Sequence, residues 1–154
     1  MNDQLAPPFA DESLIPVFRA LGRCQSAIDR LTGPRFEALG LTPAQFDVLA
    51  TLGDTSGMSC KELGERTLIT RGTLSPVLDR LEAKGLITRA KGTNDCRQTF
   101  VTLTAEGQVT YERTFMPHVV WVKQYIDKLT PAEQAQLVSL LDKLQSAFLS
   151  STTT

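Results

Sequence analysis

Apolar side chains at Leu14, Val17, Phe18, Leu21, Ile28 and Leu31 recur at helical spacing and predict an amphipathic helix. Gly33-Pro34 then predicts its end, because proline brings no amide to the next turn, and Pro34–Leu39 reads as a short second helix closing at Gly40. Thr42-Pro43-Ala44-Gln45 spells a capping box: the Thr42 hydroxyl can accept from the early amides, Pro43 suits the first helical position, and Gln45 can reach back. The helix it opens carries Phe46, Val48, Leu49 and Leu52 and is broken by Gly53 and Gly57. Ser59-Cys60-Lys61-Glu62 repeats the box before a short helix that turns Leu63 inward and ends near Arg66. Thr70 caps a third helix, whose Leu74, Val77, Leu78 and Leu81 share one arc before Gly85 supplies a left-handed stop.

Past Gly85 the period changes from helical to alternating. Leu86-Ile87-Thr88-Arg89, a polar turn over Lys91–Asp95, and Thr99-Phe100-Val101-Thr102-Leu103 predict a two-stranded hairpin. Thr104 caps a long helix running toward Lys128, with an expected kink at Pro117, whose missing amide cannot reach the carbonyl of Arg113. Thr130-Pro131-Ala132-Glu133 opens a last helix bearing Leu137, Leu140, Leu141, Leu144 and Phe148. The fold class is therefore mainly α with a small β wing. One domain is expected over residues 12–150, made of a lobe at 41–104 and long helices at 12–40 and 105–150, with a disordered Ser/Thr tail at 151–154. The stripes of the long helices are wider than a small tri-helical unit can cover, so they are expected to cover each other, within one chain or between two.

Composition narrows the function. Sixteen basic residues against seventeen acidic ones in 154 exclude a uniformly basic nucleic-acid coat. The charge is segregated, however: residues 61–100 carry eight basic and five acidic side chains, whereas residues 1–60 carry four and seven. Cys24, Cys60 and Cys96 contain no Cys-x-x-Cys pair, and with His118 the one histidine, neither a metal site nor a disulfide framework is expected. No segment has the length of a membrane span, and Met1–Ala10 lacks the pattern of a secretory signal, so the expected location is the cytoplasm. An enzyme is not expected, since there is no phosphate-binding glycine loop and no carboxylate cluster. No cofactor is expected either.

Three short helices followed by a charged hairpin have the order of a winged helix-turn-helix, whose third helix enters the DNA major groove while the wing follows the backbone or minor groove. At about 100° per residue, turning Leu74, Leu78 and Leu81 inward turns Gly72, Pro76, Asp79 and Ala83 outward, with Thr73, Ser75 and Arg80 on the shoulders. The outward face starts small, so backbone can approach the groove floor while Thr70, Arg71, Thr73 and Ser75 offer donors and methyls to phosphates and base edges. Pro76 and Arg80 complete this DNA-facing set. Pro76 is tolerable because Gly72, four residues back, is the smallest neighbour its ring could meet. In the wing, Asp95 and Arg97 are two apart on an extended segment, so the carboxylate can orient the guanidinium.

These residues resemble the multiple-antibiotic-resistance regulator (MarR) family. The resemblance is carried by Leu41-Thr42-Pro43-Ala44-Gln45-Phe46-Asp47-Val48-Leu49, Leu63-Gly64-Glu65, Leu78-Asp79-Arg80-Leu81-Glu82-Ala83-Lys84-Gly85-Leu86-Ile87, Asp95-Cys96-Arg97 and Leu103-Thr104-Ala105-Glu106-Gly107. It implies a homodimeric DNA-binding regulator with double-stranded DNA and a second copy of itself as partners. It also implies that Arg97 enters the minor groove and that Arg89 and Lys91 contact phosphate. Cys96 stands where the family usually has a basic residue. Gly72-Thr73-Leu74-Ser75-Pro76 and Gly85-Leu86-Ile87-Thr88-Arg89 look like the organic-hydroperoxide-sensing branch, yet the positions of its sensing cysteine and partner tyrosines fall on Phe18, Thr32 and Pro43. Cys24 and Cys96 remain as redox candidates, Cys24 being expected to pack as a buried thiol.

The resemblance further implies a pocket for small aromatic acids between the dimerisation helices and the DNA-binding lobe. Arg19 and Arg23, four apart on the first helix, are candidates to pair a carboxylate; Tyr111, Phe115, His118 and Trp121 form an aromatic stripe on the fifth, which core or dimer packing also explains. Two alternatives to a ligand-released regulator stay open, a thiol-based redox-responsive regulator and a winged-helix protein-interaction module without DNA binding.

Overall fold

Capping chemistry sets most element boundaries in the computed structural model, which describes residues 14–91 and 99–150. Helix α2, Pro43–Leu52, begins with both halves of its box: the Gln45 amide donates to Thr42 Oγ1 at 3.2 Å and the Thr42 amide donates to Gln45 Oε1 at 3.1 Å. Helix α3, Cys60–Arg66, has only half of one. Ser59 Oγ accepts from the Glu62 amide at 3.1 Å, while the Glu62 carboxylate pairs with Arg66 one turn on at 2.8 Å. Helix α4, Arg71–Ala83, starts after Thr70 and ends as expected, with Gly85 at φ +70° and the Leu86 amide donating back to Leu81 O at 3.0 Å.

The first helix departs from expectation. Helix α1 runs unbroken from Leu14 to Ala38, through Gly33-Pro34. Proline removes one hydrogen bond but does not end the helix, because the turns on either side are anchored. Thr32 is buried with its hydroxyl returned to Ile28 O at 2.9 Å, and buried Phe36 lies 4.7 Å, centroid to centroid, from Phe46 of α2. The helix then closes at Gly40, φ +68°, with the Leu41 amide donating to Phe36 O. There is accordingly no separate helix at Pro34–Leu39.

The hairpin forms from β2, Ile87–Lys91, and β3, Thr99–Leu103, with Arg89 opposite Val101. A third strand was not legible in the pattern: β1, Met58–Ser59, is two residues long and pairs antiparallel with Val101 and Phe100, giving the order β1-β3-β2. Gly57, at φ +97°, makes the approach possible, since a Cβ there would overlap Val101 O and Thr102 of β3.

Helix α5, Ala105–Ile126, continues through Pro117, so the expected interruption is no break. Helix α6, Pro131–Ser150, opens with a full box between Thr130 and Glu133. The chain divides into two compact units after Gln108, inside α5. The core of the first contains Val48, Leu49, Leu52, Leu63, Leu74, Leu78, Leu81, Ile87 and Val101, contributed by α2, α3, α4 and the sheet. In the second, Thr110, Tyr111 and Thr114 of α5 are buried, whereas α6 has no buried residue and exposes Leu137, Leu140, Leu141 and Phe148. No described helix is long and apolar enough to cross a membrane.

Gly107 shows how tightly α5 is seated on the sheet. Alanine ordinarily favours a helix over glycine by about 1 kcal/mol, but a Cβ on Gly107 would overlap the backbone oxygen of Leu86. Gly107→Ala is therefore expected to destabilise the protein by roughly 1–3 kcal/mol, the usual cost of overpacking. Urea denaturation would show a lower midpoint; an equal or higher one would mean that the two backbones separate freely.

Candidate nucleic-acid interface

Helix α4 presents two distinct faces. Leu74, Val77, Leu78 and Leu81 are buried, while Gly72, Thr73, Ser75, Pro76, Asp79, Arg80 and Ala83 are exposed, in agreement with the face read from the sequence. Pro76 sits within the unbroken helix. At the leading end, Thr70 makes no side-chain cap bond; its hydroxyl instead meets the hydroxyl of Thr73 at 2.8 Å. Two hydroxyls and a small face converge there, which suits phosphate and base-edge hydrogen bonding. Arg71 and Lys91 belong to α4 and β2 by backbone. Asp95 and Arg97, the expected wing contacts, and Cys96, a redox candidate, lie outside the described residues.

Arg89 is placed differently from a free phosphate ligand. Its Nη2 lies 2.7 Å from Asp79 Oδ1 and 2.5 Å from Glu82 Oε2, and its Nε donates to Glu82 Oε2 at 2.9 Å. Both acids belong to α4, so one guanidinium on the wing strand spans two carboxylates of that helix. Hydrogen bonds from Arg89 hold the Glu82 carboxyl below its ordinary pKa, and the same bonds push Arg89 further up. This pairing is not legible in the local pattern; the spacing of three between Asp79 and Glu82 on one helix is its signal in the sequence.

The turn before α4 is fixed by a contact across twenty-one residues. Asp47 Oδ2 of α2 accepts the Leu68 amide at 2.7 Å, leaving the Leu68 side chain 96% exposed just ahead of the Thr70 cap. Burial raises the Asp47 pKa, and the Leu68 amide partly opposes that rise.

The ligand candidates fall in separate units. Arg19 and Arg23 are exposed on one face of α1, where they line, with Arg30, Gly22, Ser26 and Ala27, a depression of about 450 Å³. On α5 the expected aromatic stripe is real: Tyr111 stacks on Phe115 at 5.1 Å, His118 lies 5.8 Å from Trp121, and Trp121 meets Tyr125 edge-on at 5.5 Å. Tyr125 extends the stripe beyond the residues anticipated. Cys24 is exposed, not buried, because the stretch of α1 from 22 to 31 is exposed on every face in the single chain. Cys60, not singled out from the sequence, is half-buried in a groove of about 420 Å³ with Lys61, Leu74, Ser75, Leu78 and Arg89, and burial raises its pKa. Among the described residues no His, Cys, Asp and Glu grouping could hold a metal ion.

Comparison with known proteins agrees with this geometry. The MarR family model matches residues 41–99, from the start of α2 into the wing. The HTH-type transcriptional repressor MdtR of Bacillus subtilis (strain 168) is 33% identical over 111 residues, which are 72% of this chain and 72% of that protein. Among solved structures, a MarR variant from E. coli complexed with operator DNA superposes with a TM-score of 0.75 at 31% identity, covering 86% of this chain and 95% of that one. NadR in complex with 4-hydroxyphenylacetate gives a TM-score of 0.70 at 26% identity, covering 83% and 91%.

Asp47 makes the turn ahead of α4 sensitive to pH in a calculable direction. Its folded pKa stands above the ordinary 3.8, so the fold favours the neutral acid and loses stability as pH rises through the folded value. Asp47→Asn keeps an acceptor for the Leu68 amide and carries no charge. The variant is expected to gain stability relative to the parent as pH rises from about 4 toward neutrality, and to hold that gain above. Urea titrations across this range would show a pH-independent difference if Asp47 were not desolvated in the fold.

Proposed function

This chain belongs to the MarR family, and on that premise we propose that it is a homodimeric transcriptional repressor that binds a pseudo-palindromic operator and is released by a small aromatic acid. The carrying observation is α4, which buries one apolar arc and offers the groove a small, hydroxyl-rich face beside an antiparallel wing. Family membership makes the chain a DNA-binding transcriptional regulator with a winged helix-turn-helix, not an enzyme. Thr70, Arg71, Thr73, Ser75, Pro76 and Arg80 serve the major groove in this reading, Lys91 a phosphate, and Arg97, oriented by Asp95, the minor groove.

Dimerisation follows from the apolar surface left uncovered. Leu14, Val17, Phe18 and Ile28 of α1, Val120 and Ile126 of α5, and Leu137, Val138, Leu140, Leu141, Phe148 and Leu149 of α6 are exposed in the single chain. Exposed apolar side chains in such number are uncommon on a stable monomer, and a second copy offers the same faces to cover them. Two lobes one helical turn apart would then read the two half-sites.

DNA selected from a random pool should bind as a complex of two chains per duplex by sedimentation. Arg97→Ala should weaken that complex by on the order of 1–3 kcal/mol with a shallower salt dependence, and Asp95→Ala should weaken it less. Binding by a single chain would remove the dimer from the reading, and unchanged affinity and slope would move the wing off the DNA. Affinity indifferent to salt in the parent would favour the protein-interaction alternative.

Arg19 and Arg23 of α1 are the proposed carboxylate anchors, and Tyr111, Phe115, His118 and Trp121 of α5 are, separately, the proposed contacts for an aromatic ring. Their support is chemical: paired guanidinium groups suit a carboxylate, and a ring stripe suits an aryl body. That the similar NadR is complexed with 4-hydroxyphenylacetate is consistent with this class of ligand. Hydroxyphenylacetate or a related aromatic carboxylate should release the operator from the parent. Arg19→Ala or Arg23→Ala should blunt release while leaving affinity for DNA unchanged, since neither residue lies on α4 or the wing. Exposure of Cys24 supports the thiol-responsive alternative, so release by hydroperoxide but not by carboxylate would replace the ligand reading with that one.

A further inference from the structure

Two carboxylates on a helix that faces DNA are an electrostatic problem. Asp79 and Glu82 lie three residues apart on α4, with side chains 62% and 39% exposed. Duplex DNA carries one negative charge per roughly 1.7 Å of its axis, so two bare carboxylates there would repel the phosphates that α4 must pass. Arg89 is the least exposed of the three, at 26%, and lies against the helix between the two acids. Its backbone is the middle residue of β2, opposite Val101, which is wholly buried in the lobe core. The guanidinium therefore comes from a fixed strand and reaches a fixed helix.

We propose that Arg89 is a positioning residue of the DNA interface: it masks Asp79 and Glu82 and ties the wing strand to α4, and does not itself serve as a phosphate ligand. A phosphate would have to take this guanidinium from two carboxylates, one of them held by a fork of Nε and Nη2. Leaving Arg89 where it is lowers the local charge from two negative to one and keeps the recognition helix and wing in one orientation. Arg80, exposed beside them on α4, stays available for DNA. This inference rests on the reading of α4 and the wing as the DNA-binding surface.

A mutant cycle on the selected operator duplex separates masking from direct contact. Fluorescence anisotropy at several salt concentrations would compare the parent, Arg89→Ala, the pair Asp79→Asn with Glu82→Gln, and the triple variant; urea midpoints would confirm that each is folded. In the parent background Arg89→Ala should weaken binding about tenfold, the scale of a close charge pair losing one partner. In the Asn/Gln background the same change should be nearly without effect, because no carboxylate remains to mask. An equal loss in both backgrounds, with a salt slope reduced by about one phosphate contact, would overturn the proposal in favour of direct contact. So would an Arg89→Ala protein that binds as tightly as the parent. If Arg89→Ala fails to fold, the triple variant decides: near-parental affinity supports masking, and a tenfold loss overturns it. Absence of operator binding by the parent itself would instead defeat the functional reading on which the inference stands.

Discussion

The lobe depends on one knot of backbone and hydroxyl bonds where helix, wing and long helix meet. Thr104 Oγ1 donates to Gly85 O at 2.6 Å and accepts from the Gly107 amide at 2.9 Å, while the Thr104 amide donates to Leu86 O at 3.0 Å. One threonine thus caps α5 and returns the end of β3 to the stop of α4. Gly107 lets the first turn of α5 lie against Leu86 O, and the left-handed Gly85 lets α4 end in the right place to supply that oxygen. Satisfying these groups together fixes the start of α5 relative to the wing, since a buried amide or carbonyl left unpaired is costly.

From that knot the DNA-facing surface is assembled by tethers of increasing reach. Lys84 Nζ donates to Gly40 O at 2.6 Å and Gln45 Oε1 at 3.1 Å, joining the C-terminal end of α4 to the ends of α1 and α2. Asp47 holds the turn at the other end of α4, and Arg89 holds its flank to β2. The helix is thus fixed at its start, side and end, which is the preorganisation that the proposed reading of base edges requires. The chain's near-neutral total charge is no obstacle to DNA binding, because what counts is the local field, and residues 61–100 carry eight basic side chains against five acidic ones.

Outside this lobe the molecule is built on a different principle. No residue of α6 is fully buried in the single chain, and many apolar side chains of α1 and α5 are exposed. Such surfaces gain most of their stabilisation only when apolar area is removed from water by another surface. The lobe carries its own core and the long helices do not, so folding and association are expected to be coupled in the latter.

How much of this was legible follows from the range of each interaction. Boxes at Thr42–Gln45 and Thr130–Glu133, the Gly85 stop, and the burial of Leu74, Leu78 and Leu81 were readable because each depends on residues three to five apart, where backbone geometry alone sets the distance. The alternation of β2 and β3 was readable for the same reason. The unbroken α1, the two-residue β1, the exposure of Cys24, the Asp47–Leu68 tether and the Arg89 pairing with Asp79 and Glu82 were not. Each depends on where a distant segment packs: Phe46 anchors the turn after Pro34, β3 recruits β1, and the crossing of β2 over α4 brings Arg89 to two acids rather than to solvent. The sequence by itself determined which residues can be helix, stop or strand, and only the tertiary packing decided which charges meet, because Coulomb and hydrogen-bond energies depend on separations that local pattern does not set.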